Sequence, residues 1–219
     1  VKPGPYVMAE TTDQGIPAWL TTTYPETLAR DEKGVPWGPE YISVLHPVFQ
    51  EKAARWLTHV AERVVVPRQN QKRGAVILMQ LCNEIGIFQW LGSRGDCSAV
   101  TTRAWQAYLR ERFATPSVLG ALLDRELQDF RNVRPPTEMC DTRRQFVLYR
   151  LWHDFFRHVF ALYVTFLTGT LRGAGVRTPL FANIGGWVYG RAHEFVLNGT
   201  FHRETAKALP DLLFGLPVV

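Results

Sequence analysis

Ala75-Val76-Ile77-Leu78-Met79-Gln80-Leu81-Cys82-Asn83-Glu84 is the stretch whose reading decides the fold. The run from Ala75 to Leu81 is almost unbroken in its apolar character and follows Gly74, so it predicts a buried strand. The pair Asn83-Glu84 then falls where that strand ends. A carboxylate beside an amide at the carboxyl end of a strand can present a general acid/base next to a group that binds a hydroxyl.

Upstream, Pro47 suits the first turn of a helix. Val48, Phe49, Ala53, Trp56, Leu57, Val60 and Val64 recur at helical spacing, and Pro67 marks the end. Further upstream lies a segment rich in Thr, Gly, Pro and Trp, from Glu10 to Tyr41, preceded by a short extended stretch from Pro5 to Ala9. Downstream, a second long connection runs from Glu84 to Ser98. Helical patterns follow at Thr101 to Phe113 and Ser117 to Phe130. A long aromatic and leucine-rich helix is expected from Thr142 to Arg172, capped by Gly173 and Gly175. Thr178 to Ile184 is the next strand, a third long loop begins at Gly185, and Thr200 to Ala208 reads as a short helix. Asp211 to Val219 opens a fourth strand.

Strand, loop, helix and strand in alternation predict parallel strands joined by right-handed crossovers. The long connections all follow strands, and those returning from helix to strand are shorter. That asymmetry suits a (β/α)8 TIM barrel in the α/β class, whose site is built from the loops after the strands. A doubly wound sheet is the alternative, but neither a GxGxxG nor a GxxxxGK turn is present. The expectation is an incomplete barrel of about strands 3 to 6, with residues 1–219 as the central part of one catalytic domain cut at both ends.

Composition narrows the partners. The 219 residues carry a formal charge of +5, yet Lys and Arg are interleaved with acids, as in Arg110-Glu111-Arg112. A solvated surface accounts for this better than a nucleic-acid footprint. No stretch reaches the ~18 apolar residues of a membrane span. The nearest, Phe155 to Leu171, is interrupted by Arg157 and His158. The three cysteines, Cys82, Cys97 and Cys140, lack the spacing of a disulfide framework or a zinc ribbon. His153 and His158 are five apart on one predicted helix, a poor spacing for sharing an ion. No metal and no cofactor is therefore expected. A cytoplasmic location is favoured, and a homo-oligomer of the full-length protein is compatible with the sequence.

Glu84 has a plain reading as a surface residue closing a loop. Its chemical reading is a general acid that protonates a glycosidic oxygen, which requires a carboxyl partly shielded and near a second carboxylate. Asn83 would donate to a substrate hydroxyl. Glu10, past Tyr6-Val7-Met8-Ala9, is either the partner of a nearby arginine or a sugar-hydroxyl acceptor on the same face. Trp19, Trp37, Trp90 and Trp187 fall in predicted loops, where they could serve as platforms for sugar rings. Trp56, Trp105 and Trp152 fall on predicted helix faces and are expected in the core. Asn183, at the end of the strand before Trp187, joins the substrate-binding candidates.

Lys2-Pro3-Gly4-Pro5-Tyr6-Val7-Met8-Ala9-Glu10, followed by Gly15-Ile16-Pro17-Ala18-Trp19-Leu20, resembles the β-galactosidases of glycoside hydrolase family 35. Tyr24-Pro25-Glu26, Asp31, Gly34 and Gln80-Leu81-Cys82-Asn83-Glu84-Ile85-Gly86 resemble both family 35 and its relative, family 42. Trp105 to Phe113, with Phe155-Phe156-Arg157, is more similar to family 42. The resemblance implies a (β/α)8 barrel and a retaining mechanism with two glutamates. Glu84 would be the acid/base and Asn83 its partner, with Ala9 and Glu10 in the galactose subsite. The family nucleophile ends the seventh strand, beyond the strands counted here. Family 42 members often carry a zinc-binding cysteine cluster after strand four. Only Cys97 lies near that place, so the metal is not carried over. Met8 and Thr11 depart from the Cys and Trp usual in family 35.

The reading that results is a retaining glycosidase acting on β-galactosides or related oligosaccharides. Its rivals are a barrel glycosidase of the same clan with another sugar, and a catalytically silent carbohydrate-binding protein on the same scaffold. A crystal structure of the full-length protein is expected to place the Glu84 and Glu10 carboxyls at one end of the sheet, facing one mouth. Opposite ends would sink the barrel-site reading.

Overall fold

The structure, a computed structural model, describes residues 16–39, 41–69, 74–81, 95–136, 142–183 and 213–215. In chain order they form helix α1 (Ala18–Thr23), helix α2 (Pro47–Val60), strand β1 (Met79–Gln80), helix α3 (Ala99–Arg112), helix α4 (Pro116–Leu122), helix α5 (Arg143–Gly173), strand β2 (Leu180–Asn183) and strand β3 (Leu213–Gly215). The three strands are parallel and neighbour one another in sequence order. Met79 pairs with Leu180 and Gln80 with Phe181; Ala182 pairs with Phe214 and Asn183 with Gly215. Parallel pairing puts the carboxyl ends of all three strands at one end of the sheet, and helices α3, α4 and α5 lie in the connection from β1 to β2. The predicted strand at residues 5–9 and the predicted helix at 200–208 lie outside the described residues.

Helix α5 shows most clearly how local signals and packing agree. Thr142 and Gln145 form both halves of a capping box: the Thr142 hydroxyl accepts the Gln145 N–H at 3.2 Å, and the Gln145 side chain accepts the Thr142 N–H at 2.8 Å. At the other end Gly175 adopts φ +92°, which a side chain would oppose. Its N–H reaches the Arg172 carbonyl, and the Val176 N–H reaches that of Leu171, which closes the helix as a Schellman motif. Between these caps Trp152, Phe155, Phe156, Val159, Phe160, Tyr163, Val164, Leu167 and Leu171 form one buried stripe.

The other helices pack on that stripe. Trp105 of α3 meets Trp152 edge-on with ring centroids 5.2 Å apart, and Trp152 meets Phe156 at 4.9 Å in the same manner. Phe49 of α2 lies 6.5 Å from Tyr163. The partly buried carboxylate of Asp154 accepts from Arg157 at 2.8 Å and also faces Arg150 and, across the helix interface, Arg112.

Several expectations are corrected. Trp56 is 46% exposed and so does not belong to the core, because helical spacing places it at the edge of the α2 stripe. The strand expected over 75–81 is regular only at Met79–Gln80, and Ile77 and Leu78, ahead of it, are exposed. The helix expected over 117–130 stops at Leu122. There Asp124 turns to φ 51° and the Arg125 N–H returns to the Gly120 carbonyl; a single 3-10 turn follows at Phe130–Asn132. Past Val60 the helix path widens to a π turn over Ala61–Val65 before a 3-10 turn at Val66–Arg68, where Pro67 has no N–H to offer.

The amino ends of the strands are tied together by side chains. The Gln69 side chain accepts the Arg177 N–H at 2.8 Å and donates to the Gly175 carbonyl. Arg172 donates to the carbonyls of Val176 and Thr178 at 3.0 and 2.8 Å. Among the described residues no helix is long and apolar enough to cross a membrane.

Because Trp152 is fully buried among aromatic rings, Trp152→Ala is expected to lower unfolding stability by about 3–5 kcal/mol. The shift of the denaturant midpoint in the full-length protein checks this.

Candidate active site

The carboxyl end of the sheet is where the sequence puts its chemistry, and the register defines that end. The Leu81 N–H donates to the Phe181 carbonyl at 2.8 Å, so β1 remains paired to β2 up to the residue before Cys82. Asn183, the last residue of β2, pairs with Gly215 at the same end. Asn83 and Glu84 follow Leu81 after one intervening residue, Cys82, but lie outside the described residues, as do Ala9, Glu10, Trp90 and Trp187. Of the substrate-binding candidates, Asn183 alone has its backbone placed.

The described part of the connection predicted over 10–41 is an ordered unit. Leu28 bridges Ile42 and Arg30 bridges Pro36, both antiparallel. The Ser43 N–H donates to the Thr27 carbonyl, and the Ala29 N–H to that of Tyr41. Asp31 closes the tip: its Oδ1 accepts the N–H groups of Lys33 and Val35, while Gly34 takes φ +80°. Arg30 stays local, donating to the carbonyls of Gly34 and Pro25. Tyr24-Pro25-Glu26, Asp31 and Gly34 thus belong to a turn-building set. Of the two described loop tryptophans, Trp19 is half exposed on α1, and Trp37 is partly buried with its Nε1–H donating to the Gly95 carbonyl at 3.2 Å.

That last contact leads to a cluster that the sequence reading missed. Asp96 is buried, and its carboxylate accepts four hydrogen bonds. Oδ1 takes the N–H groups of Arg30 at 3.1 Å and Ser98 at 2.8 Å; Oδ2 takes the hydroxyls of Ser98 and Thr101. The Ser43 hydroxyl lies 3.1 Å from that of Ser98 and 3.3 Å from that of Thr101. The Cys97 N–H donates to the Arg30 carbonyl at 2.7 Å. Four donors satisfy the acceptor capacity of this buried side chain. The local signal was Asp96-Cys97-Ser98 directly before a helix, with Ser98 as N-cap and Thr101 three residues on. Only the fold supplied Arg30 and Ser43.

His46, which caps α2 in the same region, has its Nδ1 buried with no hydrogen-bond partner among the described residues. Burial holds its pKa below the ordinary 6.5, reinforced by Arg103 and opposed by Glu26 and Asp96. Among the described residues no group of three His, Cys, Asp or Glu is placed to hold a metal ion.

Comparison with known proteins places this arrangement. The glycoside hydrolase family 42 model, described as beta-galactosidase, matches residues 2–196, and family 42 is one of the two families whose motifs the chain resembles. A protein named beta-1,2-glucosyltransferase from Ignavibacterium album is 32% identical over 99% of the chain, and an exo-beta-D-glucosaminidase from Pyrococcus horikoshii is 27% identical over 71%. The chain spans 30% and 20% of the length of these relatives. The crystal structure of a beta-galactosidase from the psychrophilic Marinomonas ef1 superposes on 93% of the chain and 29% of its own length, with a TM-score of 0.65 at 18% identity. The fold is thus that of a TIM-barrel glycoside hydrolase, of which the described residues supply three neighbouring strands.

A histidine with a depressed folded pKa loses stability as the medium is acidified: below about pH 6.5 the unfolded chain takes up the proton first. Unfolding free energy is therefore expected to fall as pH drops from 7 through the folded pKa of His46. His46→Gln should flatten that slope, as measured by denaturant titrations at successive pH values.

Proposed function

Because the chain belongs to glycoside hydrolase family 42, we propose that it carries the acid/base part of a retaining site for terminal β-glycosides, with Glu84 as the general acid/base. The observation that carries this reading is the position of Asn83-Glu84 in the chain, immediately beyond a parallel strand whose carboxyl end lies beside that of β2. Asn83 would hold a substrate hydroxyl next to the acid. Glu10, Ala9, Asn183 and Trp187 would line the sugar subsite.

In the first step Glu84 gives its proton to the leaving oxygen while a second carboxylate attacks the anomeric carbon, forming a glycosyl-enzyme. In such sites the two carboxyl groups lie about 5–5.5 Å apart. In the second step Glu84, now a carboxylate, takes the proton of an incoming hydroxyl, which displaces the enzyme carboxylate with net retention. The same chemistry serves water or a sugar hydroxyl as acceptor.

The family description supports a β-galactoside donor and hydrolysis, with the sugar released free. A second reading, transfer of a β-glucosyl group to a sugar acceptor, is favoured by the relative named beta-1,2-glucosyltransferase, whose likeness extends along 99% of the chain. Nitrophenyl β-galactoside and β-glucoside, each offered with and without a glucose acceptor, separate the two. Free galactose supports hydrolysis, and a new glucosyl disaccharide supports transfer.

Glu84→Gln in the full-length protein is expected to lower kcat/KM on a disaccharide-like, poor leaving group by about 10²–10⁴-fold. A dinitrophenyl glycoside, which needs little acid help, should suffer far less. Equal losses on both donors would count against Glu84 as the acid.

A further inference from the structure

We propose that the cavity between the segment after α4 and the first turns of α5 is a binding site for a sugar phosphate. The cavity has a volume of about 250 Å³. Arg125, Arg134 and Asn132 supply its polar lining, and Pro135, Pro136 and Leu148 its apolar lining.

The frame is built by local constraints. Asp124 turns to φ 51° and the Arg125 N–H returns to the Gly120 carbonyl, which brings the segment close against α4. The approach requires glycine: a Cβ at residue 120 would meet the Arg125 carbonyl oxygen at 2.6 Å. Further on, Phe130, Val133 and Pro135 are buried, and Gln106 of α3 donates to the Arg131 carbonyl at 3.0 Å. On the α5 side the capping box fixes the amide of Gln145, which also lines the cavity. Both walls are therefore held before a ligand arrives, which lowers the ordering cost of binding.

Charge selects the ligand. Among the described residues neither the Arg125 nor the Arg134 guanidinium forms an ion pair or a hydrogen bond. The acids near them in the chain are directed elsewhere. Asp124 lines a separate cavity with Arg143 and Arg144, Glu126 accepts from Gln128 at 3.4 Å, and Asp129 pairs with Arg131 at 2.7 Å. Two uncompensated guanidinium groups match the dianion of a phosphate monoester, whose oxygens suit the planar fork of Arg. The Asn132 amide can both donate to and accept from a ring hydroxyl. The proline and leucine surfaces suit the C–H face of a ring. The volume lies just below the ~300–1,000 Å³ of drug-sized pockets, which fits one sugar ring with its phosphate.

Isothermal titration of the full-length protein at constant ionic strength tests this, with glucose 6-phosphate and inorganic phosphate as probes. Glucose 6-phosphate is expected to bind, and inorganic phosphate to bind more weakly. Arg125→Gln and Arg134→Gln, both at exposed positions, are each expected to weaken glucose 6-phosphate binding by about 10-fold. Arg55→Gln, at an exposed position on α2, is expected to leave it unchanged. Absence of glucose 6-phosphate binding would overturn the proposal. So would binding unaffected by Arg125→Gln and Arg134→Gln, which would place the ligand elsewhere. An equal loss in Arg55→Gln would overturn it too, as a diffuse response to net charge. Inorganic phosphate binding as tightly as glucose 6-phosphate would overturn the sugar assignment. The thermal midpoint of each variant shows that it is folded; should one variant unfold, the other carries the test with the same expected loss.

Discussion

The packing of the α5 aromatic stripe against α3 and α2 is the constraint on which the remaining structure depends. Trp105, Trp152, Phe155 and Phe156 are fully or almost fully buried, and they interlock edge to face. Rings of this size fill space in few ways, so the contact fixes both the rotation of α5 about its axis and its distance from α3. Because α5 leads directly into β2, that rotation also sets where β2 begins. The Schellman turn at Gly175 converts the helix direction into the strand direction without leaving the last carbonyls unpaired. The pairing of β2 with β1 is in this sense a consequence of aromatic packing elsewhere in the chain.

The two ends of the sheet are stabilised by different chemistry. At the amino ends, the Gln69 side chain ties the connector before β1 to the one before β2, and Arg172 and Arg177 brace the latter through its own backbone carbonyls. These contacts hold the strand starts. At the carboxyl side, a single buried carboxylate, Asp96, gathers the segments that follow two different strands of the predicted barrel. In barrels built this way the amino end serves stability and the carboxyl end serves chemistry. Asp96, with four hydrogen bonds, holds irregular backbone that has no ladder of its own.

Membership in family 42 and likeness to a barrel beta-galactosidase define the scaffold. The sugar is a separate matter. Relatives with this stretch are named for glucosyl transfer and for glucosaminide cleavage as well. The retaining site proposed for this chain would permit such breadth, because an acid/base and a nucleophile act on the anomeric carbon and the leaving oxygen, which all these sugars share. Donor and acceptor are chosen by the groups around them, on loops whose sequences vary independently of the barrel.

Local periodicity and capping were legible in the sequence. The α5 stripe, the glycine at its end, the helix beginning at Pro47, the parallel order of the strands and the asymmetry of long and short connections could all be read from residue type and spacing. Each depends on interactions within a few residues or on a regular repeat. The family motifs, with Asn83-Glu84 after an apolar strand, were legible for the same reason. What could not be read was any choice made between residues distant in sequence. Asp96 fell within the connection read over Glu84 to Ser98 and was not singled out, because Arg30 lies 66 residues away from it. Trp56 looked like core, and only the packing of α2 through Phe49, Ala53 and Leu57 showed that it lies at the edge of the buried stripe. Local sequence determined which elements form and where the candidate acid sits in the chain. Tertiary packing alone decided which loops are joined, because a hydrogen bond between remote segments leaves no periodic trace in the sequence of either one.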